Sequence, residues 1–221
     1  MLFRSPGVST AELDRVAREY IRARGAEPSC LGYCGYPASI CASVNEVIVH
    51  GIPSEDIVLK EGDIVSIDLC AYKNGFHGDG ARTFAVGAVS EEKQKLMRVT
   101  EECFWKAVEH LRAGTPLYDI GATVQAHAES NGFSVVREYV GHGIGREMHE
   151  DPSVPNYGKR GTGVRLRPGT VICIEPMIAA GARKVTVDED GWTARMADGK
   201  SAAHYENTVV VREDGVEILT I

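Results

Sequence analysis

Apolar residues recur at helical spacing in three stretches of this 221-residue chain. In the first, Leu13, Val16, Tyr20 and Ile21 form one stripe behind Ser9 or Thr10 as N-cap. Gly25 lies just past its end, which predicts a helix over roughly 10–24. In the second, Ser90 opens a run that turns Leu96, Ala107, Val108 and Leu111 inward, predicting a helix over roughly 90–112 with Gly114 as its stop. The third, over roughly 117–130, halts at Asn131-Gly132. The segments between them favour strands, near 46–50, 63–72, 76–86, 134–140, 170–179, 184–196, 204–211 and 216–220. Residues 151–168 hold three Pro and three Gly, which predicts a long surface loop of the kind that rims a site.

Two words repeat, in the same order. Gly62-Asp63-Ile64-Val65-Ser66-Ile67-Asp68 is echoed by Gly169-Thr170-Val171-Ile172-Cys173-Ile174-Glu175, each a Gly followed by an apolar strand that ends on a carboxylate. His77-Gly78-Asp79 ahead of Thr83-Phe84-Ala85-Val86 is echoed by His204-Tyr205-Glu206 ahead of Thr208-Val209-Val210-Val211. The spacing, about half the chain, predicts a duplicated α+β unit whose two strand pairs meet at a pseudo-twofold axis. Asn74-Gly75 is a hairpin signal, so the strands carrying Asp68 and Asp79 are expected to pair with both carboxylates on one face. A buried carboxylate is costly unless paired or bound to metal. No cation is embedded in these runs, although Arg82 or Lys184 could approach in space. Four converging acids would raise each other's pKa, a conflict that divalent cations resolve.

Composition narrows the partners. With 24 Lys+Arg against 31 Asp+Glu the net charge is −7, which argues against a nucleic-acid binder. A 43% hydrophobic and 25% charged content is that of a globular chain, and no stretch reaches the length of a membrane span. The opening MLFRSPGVST has no apolar signal core, so a cytoplasmic location is expected. Cys30, Cys34, Cys41, Cys70, Cys103 and Cys173 form no paired zinc motif and read as reduced, mostly buried thiols outside the catalytic chemistry.

Histidine completes a donor set. In Gly141-His142-Gly143-Ile144-Gly145 the glycines let the backbone pass close to a ligand and leave the imidazole uncrowded. His149 lies seven residues on, and His50 ends a strand before Gly51-Ile52-Pro53. One imidazole with four carboxylates suits Mn²⁺, Co²⁺, Fe²⁺ or Zn²⁺, and four acids fit two ions with shared ligands better than one.

The order Asp68, Asp79, His142, Glu175, Glu206 resembles the ligand set of the pita-bread metallopeptidases. The words Ser43-Val44-Asn45-Glu46-Val47, Val49-His50-Gly51-Ile52-Pro53, Gly75-Phe76-His77-Gly78-Asp79, Ile174-Glu175-Pro176-Met177 and Tyr205-Glu206-Asn207-Thr208 are similar to those of the type I methionine aminopeptidases, from about residue 6 onward. The resemblance implies an α+β pita-bread (creatinase/aminopeptidase-like) fold: two pseudo-symmetric halves, antiparallel sheet covered by helices, one catalytic domain over 1–221. It implies two divalent ions (Co, Mn, Fe or Zn), with Asp79 and Glu206 bridging, Asp68 on one ion, and His142 and Glu175 on the other. Water shared by the ions would attack the first peptide bond, Glu175 would relay its proton, His149 would stabilise the oxyanion, and His50 would position the peptide. Cys30, Tyr33, Tyr36, Cys41, Met148 and Trp192 would form the methionine pocket, an apolar and soft set that suits a thioether. The implied substrate is the N-terminal methionine of nascent polypeptides, near the ribosome, cleaved by a monomer without nucleic acid or membrane.

The chain departs from that family pattern in four places. It begins where members usually carry a further helical segment; Cys34 and Asn207 stand where His is common; and Met148 replaces an aromatic of the pocket wall. A proline-specific peptidase of the same fold shares the ligands but typically adds an N-terminal domain, and a binding module that had lost its ions should have lost ligands too. A calcium protein would need a D-x-[DN]-x-[DN]-G loop, which is not present.

Overall fold

The computed structural model describes residues 5–220. Three helices form where the apolar stripes place them: Thr10–Ala23, Glu91–Val108 and Tyr118–Ser130. Ser9 and Ser90 cap the first two by accepting from the backbone N–H of Glu12 and Lys93, satisfying donors the helix leaves open. Tyr20 is a correction: it is 59% exposed, with Arg24 stacked on its ring, so the buried stripe of the first helix narrows to Thr10, Leu13, Asp14 and Ile21. The second helix ends at Val108, before Gly114, because the chain turns at 109–112 while still burying Leu111.

The strands are all antiparallel. Ile64–Lys73 pairs along its whole length with Phe76–Ala85, and its other edge takes Cys41–Val44 and Glu27–Pro28. In the second half Val171–Ile174 pairs with Asn207–Val211, within a five-stranded sheet that also holds Val216–Ile218, Gly141–Gly143 and Glu150–Val154. Two three-stranded sheets join Ser134–Val135, Met177–Ala179 and Ala202–His204, and Val47–Val49, Ala194–Met196 and Val185–Val187. The second and third helices cover these sheets through one apolar cluster that includes Leu96, Phe104, Ile120, Val124, Ile172 and Val209. Burial of such side chains is the main stabilising term, roughly 1.5–3 kcal/mol each.

Several expected strands are broken, for physical reasons. The 170–179 run splits at Glu175-Pro176, because proline has no N–H for the ladder. The 204–211 run splits at Tyr205-Glu206, and only 134–135 of the 134–140 run enters a sheet. The 184–196 run is a hairpin rather than one strand, turning through Gly191. Part of the 151–168 stretch is itself strand, Glu150–Val154.

The duplication is visible in the backbone. Gly62 and Gly169, the echoed glycines, both adopt left-handed conformations, with φ of +89° and +84°. The halves meet where Phe76–Ala85 runs beside residues 204–208. Ala81 and Glu206 exchange backbone hydrogen bonds there, and a threonine clamps each side. Thr208 Oγ1 accepts from Asp79 N (2.9 Å) and donates to Asp79 O (3.0 Å); Thr83 Oγ1 accepts from His204 N (2.9 Å) and donates to His204 O (2.8 Å). The fold is thus two pseudo-symmetric α+β halves, and the acidic residues lie on their seam. Among the described residues no helix is long and apolar enough to cross a membrane.

Candidate metal centre and peptide pocket

The hairpin turn sets the first two acids. Asn74 (φ +53°) and Gly75 (φ +88°) close a two-residue turn in which Lys73 faces Phe76. That register puts Asp68 opposite Ala81 and Cys70 opposite Asp79, so the two carboxylates are diagonal neighbours on one face. Glu175 follows the strand Val171–Ile174, and Glu206 precedes Asn207–Val211 directly across from it. His142 sits in the middle of Gly141–Gly143, the next strand over. Both flanking positions require glycine: a Cβ at Gly141 would run into the backbone oxygen of Cys173, and one at Gly143 into that of Asp151.

These five side chains converge. Asp79, Glu175 and Glu206 are buried, and Asp68 and His142 half-buried. His142 Nδ1 donates to the Gly143 carbonyl at 2.9 Å, which leaves Nε2 as an acceptor, 3.6 Å from Glu175 Oε1. A ring so anchored is the usual arrangement of a metal-ligating histidine. Among the described residues no Lys or Arg forms an ion pair with the four acids; ring nitrogens of His142 and His204 lie 3.6 Å from Glu175, and that of His204 lies 4.0 Å from Glu206. Arg82 instead donates to the backbone oxygens of Ala81 and Glu206 and to Asn207 Oδ1, and stacks on Tyr205. Burial, then repulsion from Asp68 among other neighbours, pushes Asp79 well above the ordinary carboxylate range; burial and repulsion from Asp79, Glu175 and Asp68 do the same to Glu206. Burial raises Asp68, opposed by His204, and raises Glu175 to about 8, opposed by His142. Such a cluster is destabilised when ionised and suits divalent cations. One donor atom each from Asp79, His142, Cys173 and Glu206 lie within 4.8 Å of one another, a span that fits an ion.

Two adjoining cavities receive all the site residues read from the sequence. One, of about 140 Å³, is lined by Asp68, Asp79, His142, Glu175 and Glu206 with His50 and His149. The other, of about 160 Å³, is lined by Cys30, Tyr33, Tyr36, Cys41, Met148 and Trp192, and shares His50, His149, Asp68 and Asp79 with the first. Tyr36 is buried, donates to the backbone oxygens of Ile40 and Gly51 (3.1 Å each), and meets Trp192 edge-on at 5.1 Å. His149 Nδ1 contacts the Tyr33 hydroxyl at 2.9 Å, and its ring lies 4.2 Å from that of His142. His50 holds a left-handed backbone (φ +59°), a strain that non-glycine residues keep mainly at functional positions. Desolvation, with neighbouring imidazoles, pushes His50 and His149 down to about 4, so both are neutral at neutral pH.

Sequence reasoning missed several participants. Tyr139, edge-on to His50 at 5.1 Å, lines the acidic cavity, and its lone position in a 134–140 strand prediction gave no signal. Asn156 Nδ2 donates to the Glu175 carbonyl at 2.8 Å from within the predicted loop. Cys173, read as a thiol outside the chemistry, has its Sγ beside Asp79, His142 and Glu206, which corrects its placement. Burial and those carboxylates hold it as a thiol, in contact with Thr208 Oγ1 at 3.6 Å. Of the departures, Cys34 is exposed, Met148 is buried beside Cys70, Ile144 and Cys173, and Asn207 is buried, receiving Arg82.

Residues 1–213 match the model of metallopeptidase family M24. The chain is 54% identical over 216 residues to the methionine aminopeptidase of Clostridium acetobutylicum, covering 98% of this chain and 86% of that protein. In structure it is similar to the methionine aminopeptidase of Thermotoga maritima, with a TM-score of 0.97 at 46% identity, over 99% of this chain and 88% of that one. The prolidase of Pyrococcus furiosus shares the fold, with a TM-score of 0.77 at 24% identity, over 98% of this chain and 57% of that one. The two cavities, the convergent acids and these likenesses agree: the chain belongs to metallopeptidase family M24, among its methionine aminopeptidases.

Proposed function

We propose that the protein removes the N-terminal methionine from polypeptides, using divalent ions held by Asp68, Asp79, His142, Glu175 and Glu206. The observation that carries this reading is the junction of the two cavities: an apolar, sulfur- and aromatic-lined pocket adjoins a buried acidic cluster that, among the described residues, forms no ion pair with Lys or Arg. Four carboxylates suit two ions; Asp79 and Glu206 would contribute to holding both, Asp68 to one, and His142 and Glu175 to the other. The native metal is one of Co, Mn, Fe or Zn. The chemistry such ions supply when bound is acidification of water at neutral pH and polarisation of a carbonyl.

The chain's own residues do the rest. The methionine side chain lies among Cys30, Tyr36, Cys41, Met148 and Trp192, with Tyr33 at the rim, and its burial supplies selectivity of a few kcal/mol. His50 holds the scissile peptide, and its pre-set backbone limits reorientation. His149, fixed through Tyr33, donates to the carbonyl oxygen as negative charge develops on it. Glu175 takes the proton that the attacking water loses and delivers it to the leaving amine. We read 1–221 as one catalytic unit, because both halves contribute acids to the seam. The physiological setting that fits is a cytoplasmic monomer acting on nascent chains near the ribosome.

The test is kcat/KM for X-Ala-Ser peptides with X as Met, Ala, Glu or Lys, alongside Ala-Pro and Gly-Pro. Met-Ala-Ser is expected to be preferred over the others by orders of magnitude. Equal rates for Met and Glu would discard the pocket assignment, and preference for the proline dipeptides would replace the activity.

A further inference from the structure

His204 is a buried residue at this site whose ring nitrogens make no hydrogen bond. It ends the strand Ala202–His204 and is 2% exposed, and neither Nδ1 nor Nε2 has a hydrogen-bond partner. Leaving such an imidazole unsatisfied in the interior costs free energy, so its position calls for a reason. Its backbone is fixed on both sides: N and O are clamped by Thr83, and Met177 pairs with it across the sheet. The ring therefore points where the seam aims it. Nε2 lies 3.6 Å from Glu175 Oε2 and 4.0 Å from Glu206 Oε2, while the acidic cavity is walled by other residues.

We propose that His204 is a positioning residue of the metal centre: its Nε2–H, set between Glu175 and Glu206 on the side away from the cavity, orients both carboxylates so that their other oxygens face the ions. This rests on the reading above that Glu175 and Glu206 are ligands. The contact reaches one acid from each side of the break at Tyr205-Glu206 and Glu175-Pro176, where neither strand's ladder fixes side-chain rotation. Partners of this kind typically govern metal affinity by about 10–100-fold.

The experiment compares His204→Gln, which keeps an N–H donor, with His204→Met, which fills a similar volume without one; His204→Phe is a second donor-free variant that keeps a ring. Each full-length protein is chelated, melted to check folding, then titrated with Co²⁺ by calorimetry and by visible absorption. Wild type and the Gln variant are expected to bind Co²⁺ alike. The Met and Phe variants are expected to bind at least one ion about 10–100-fold more weakly, with an altered visible spectrum. Unchanged affinity and spectrum in the donor-free variants would overturn the role. Equal loss in the Gln and Met variants, or equal loss of folding, would also overturn it, as a matter of shape alone. A wild-type protein that binds no Co²⁺ would instead overturn the metal-site reading, and the role of His204 with it.

Discussion

At the scale of single residues, three histidines line the acidic cavity, and the proposed function gives them separable jobs. His142 presents an acceptor nitrogen to the acids, whereas His149 is tied to the Tyr33 hydroxyl and His50 to Tyr139 and Trp192. His142→Ala is therefore expected to lose affinity for at least one ion, with partial recovery of activity at high metal. His149→Ala and His50→Ala are expected to bind metal normally and lose turnover by about 10²–10³-fold, unrescued by metal. Calorimetric metal titration beside steady-state kinetics separates the cases, and normal metal binding by His142→Ala would reverse the assignment. The acids that gather at the seam were legible because their types and order are constrained: one acid that ends an apolar run is usually a turn or edge residue, but four in duplicated positions are not readily explained that way. Tyr139, Cys173 and His204 were not legible. Each matters through what lies across the seam from it, and the sequence order of one strand carries no such information.

At the scale of elements, the glycine pair around His142 decides how near the metal-side strand comes to its neighbours. Gly143 has no room for a Cβ because the backbone oxygen of Asp151 occupies that space. Gly143→Ala is expected to push Gly141–Gly143 away from Glu150–Val154, costing about 1–3 kcal/mol by overpacking, and to weaken metal binding because His142 moves with the strand. Thermal melting with and without Mn²⁺ checks it; a melting point and Mn²⁺ shift equal to wild type would contradict it. The helices and the Asn74-Gly75 hairpin could be read in advance because caps, periodicity and turn chemistry are local signals. The four-residue strand Cys41–Val44 could not, since pairing to Ile64–Lys73 makes it a strand rather than any signal of its own. Breaks at Glu175-Pro176 and Tyr205-Glu206 were also hidden, as both interrupt runs that look continuous in apolar content.

At the scale of the whole molecule, duplication places two acid-bearing strand pairs face to face, and the energetic consequence is buried carboxyls, to which mutual repulsion adds at Asp79, Glu175 and Glu206. Folding without ions holds Asp68, Asp79, Glu175 and Glu206 above the ordinary carboxylate range, Glu175 at about 8. A carboxyl raised in the folded state contributes stability that is complete below its unfolded pKa and is lost as pH rises through the folded value. The chelated protein is therefore expected to melt at lower temperature as pH goes from about 7 to about 8.5. His50 and His149, held near 4, bind no proton in the folded state there, and they oppose the trend only weakly because unfolded histidine is itself mostly neutral above pH 7. Divalent ions bind the deprotonated carboxylates, so their stabilisation grows over the same interval. A melting point of the chelated protein that climbs with pH in this window would contradict the picture of uncompensated acids.

The central claim is that ions held at this seam drive removal of an N-terminal methionine, and it can be tested in one titration. The protein is chelated exhaustively, Mn²⁺ is returned in steps with bound metal counted by mass spectrometry, and free methionine released from Met-Ala-Ser is measured at each step. Activity is expected to be abolished by chelation and to return in proportion to metal bound, saturating at no more than about two ions per chain. Full methionine release from protein that carries no metal would contradict the claim.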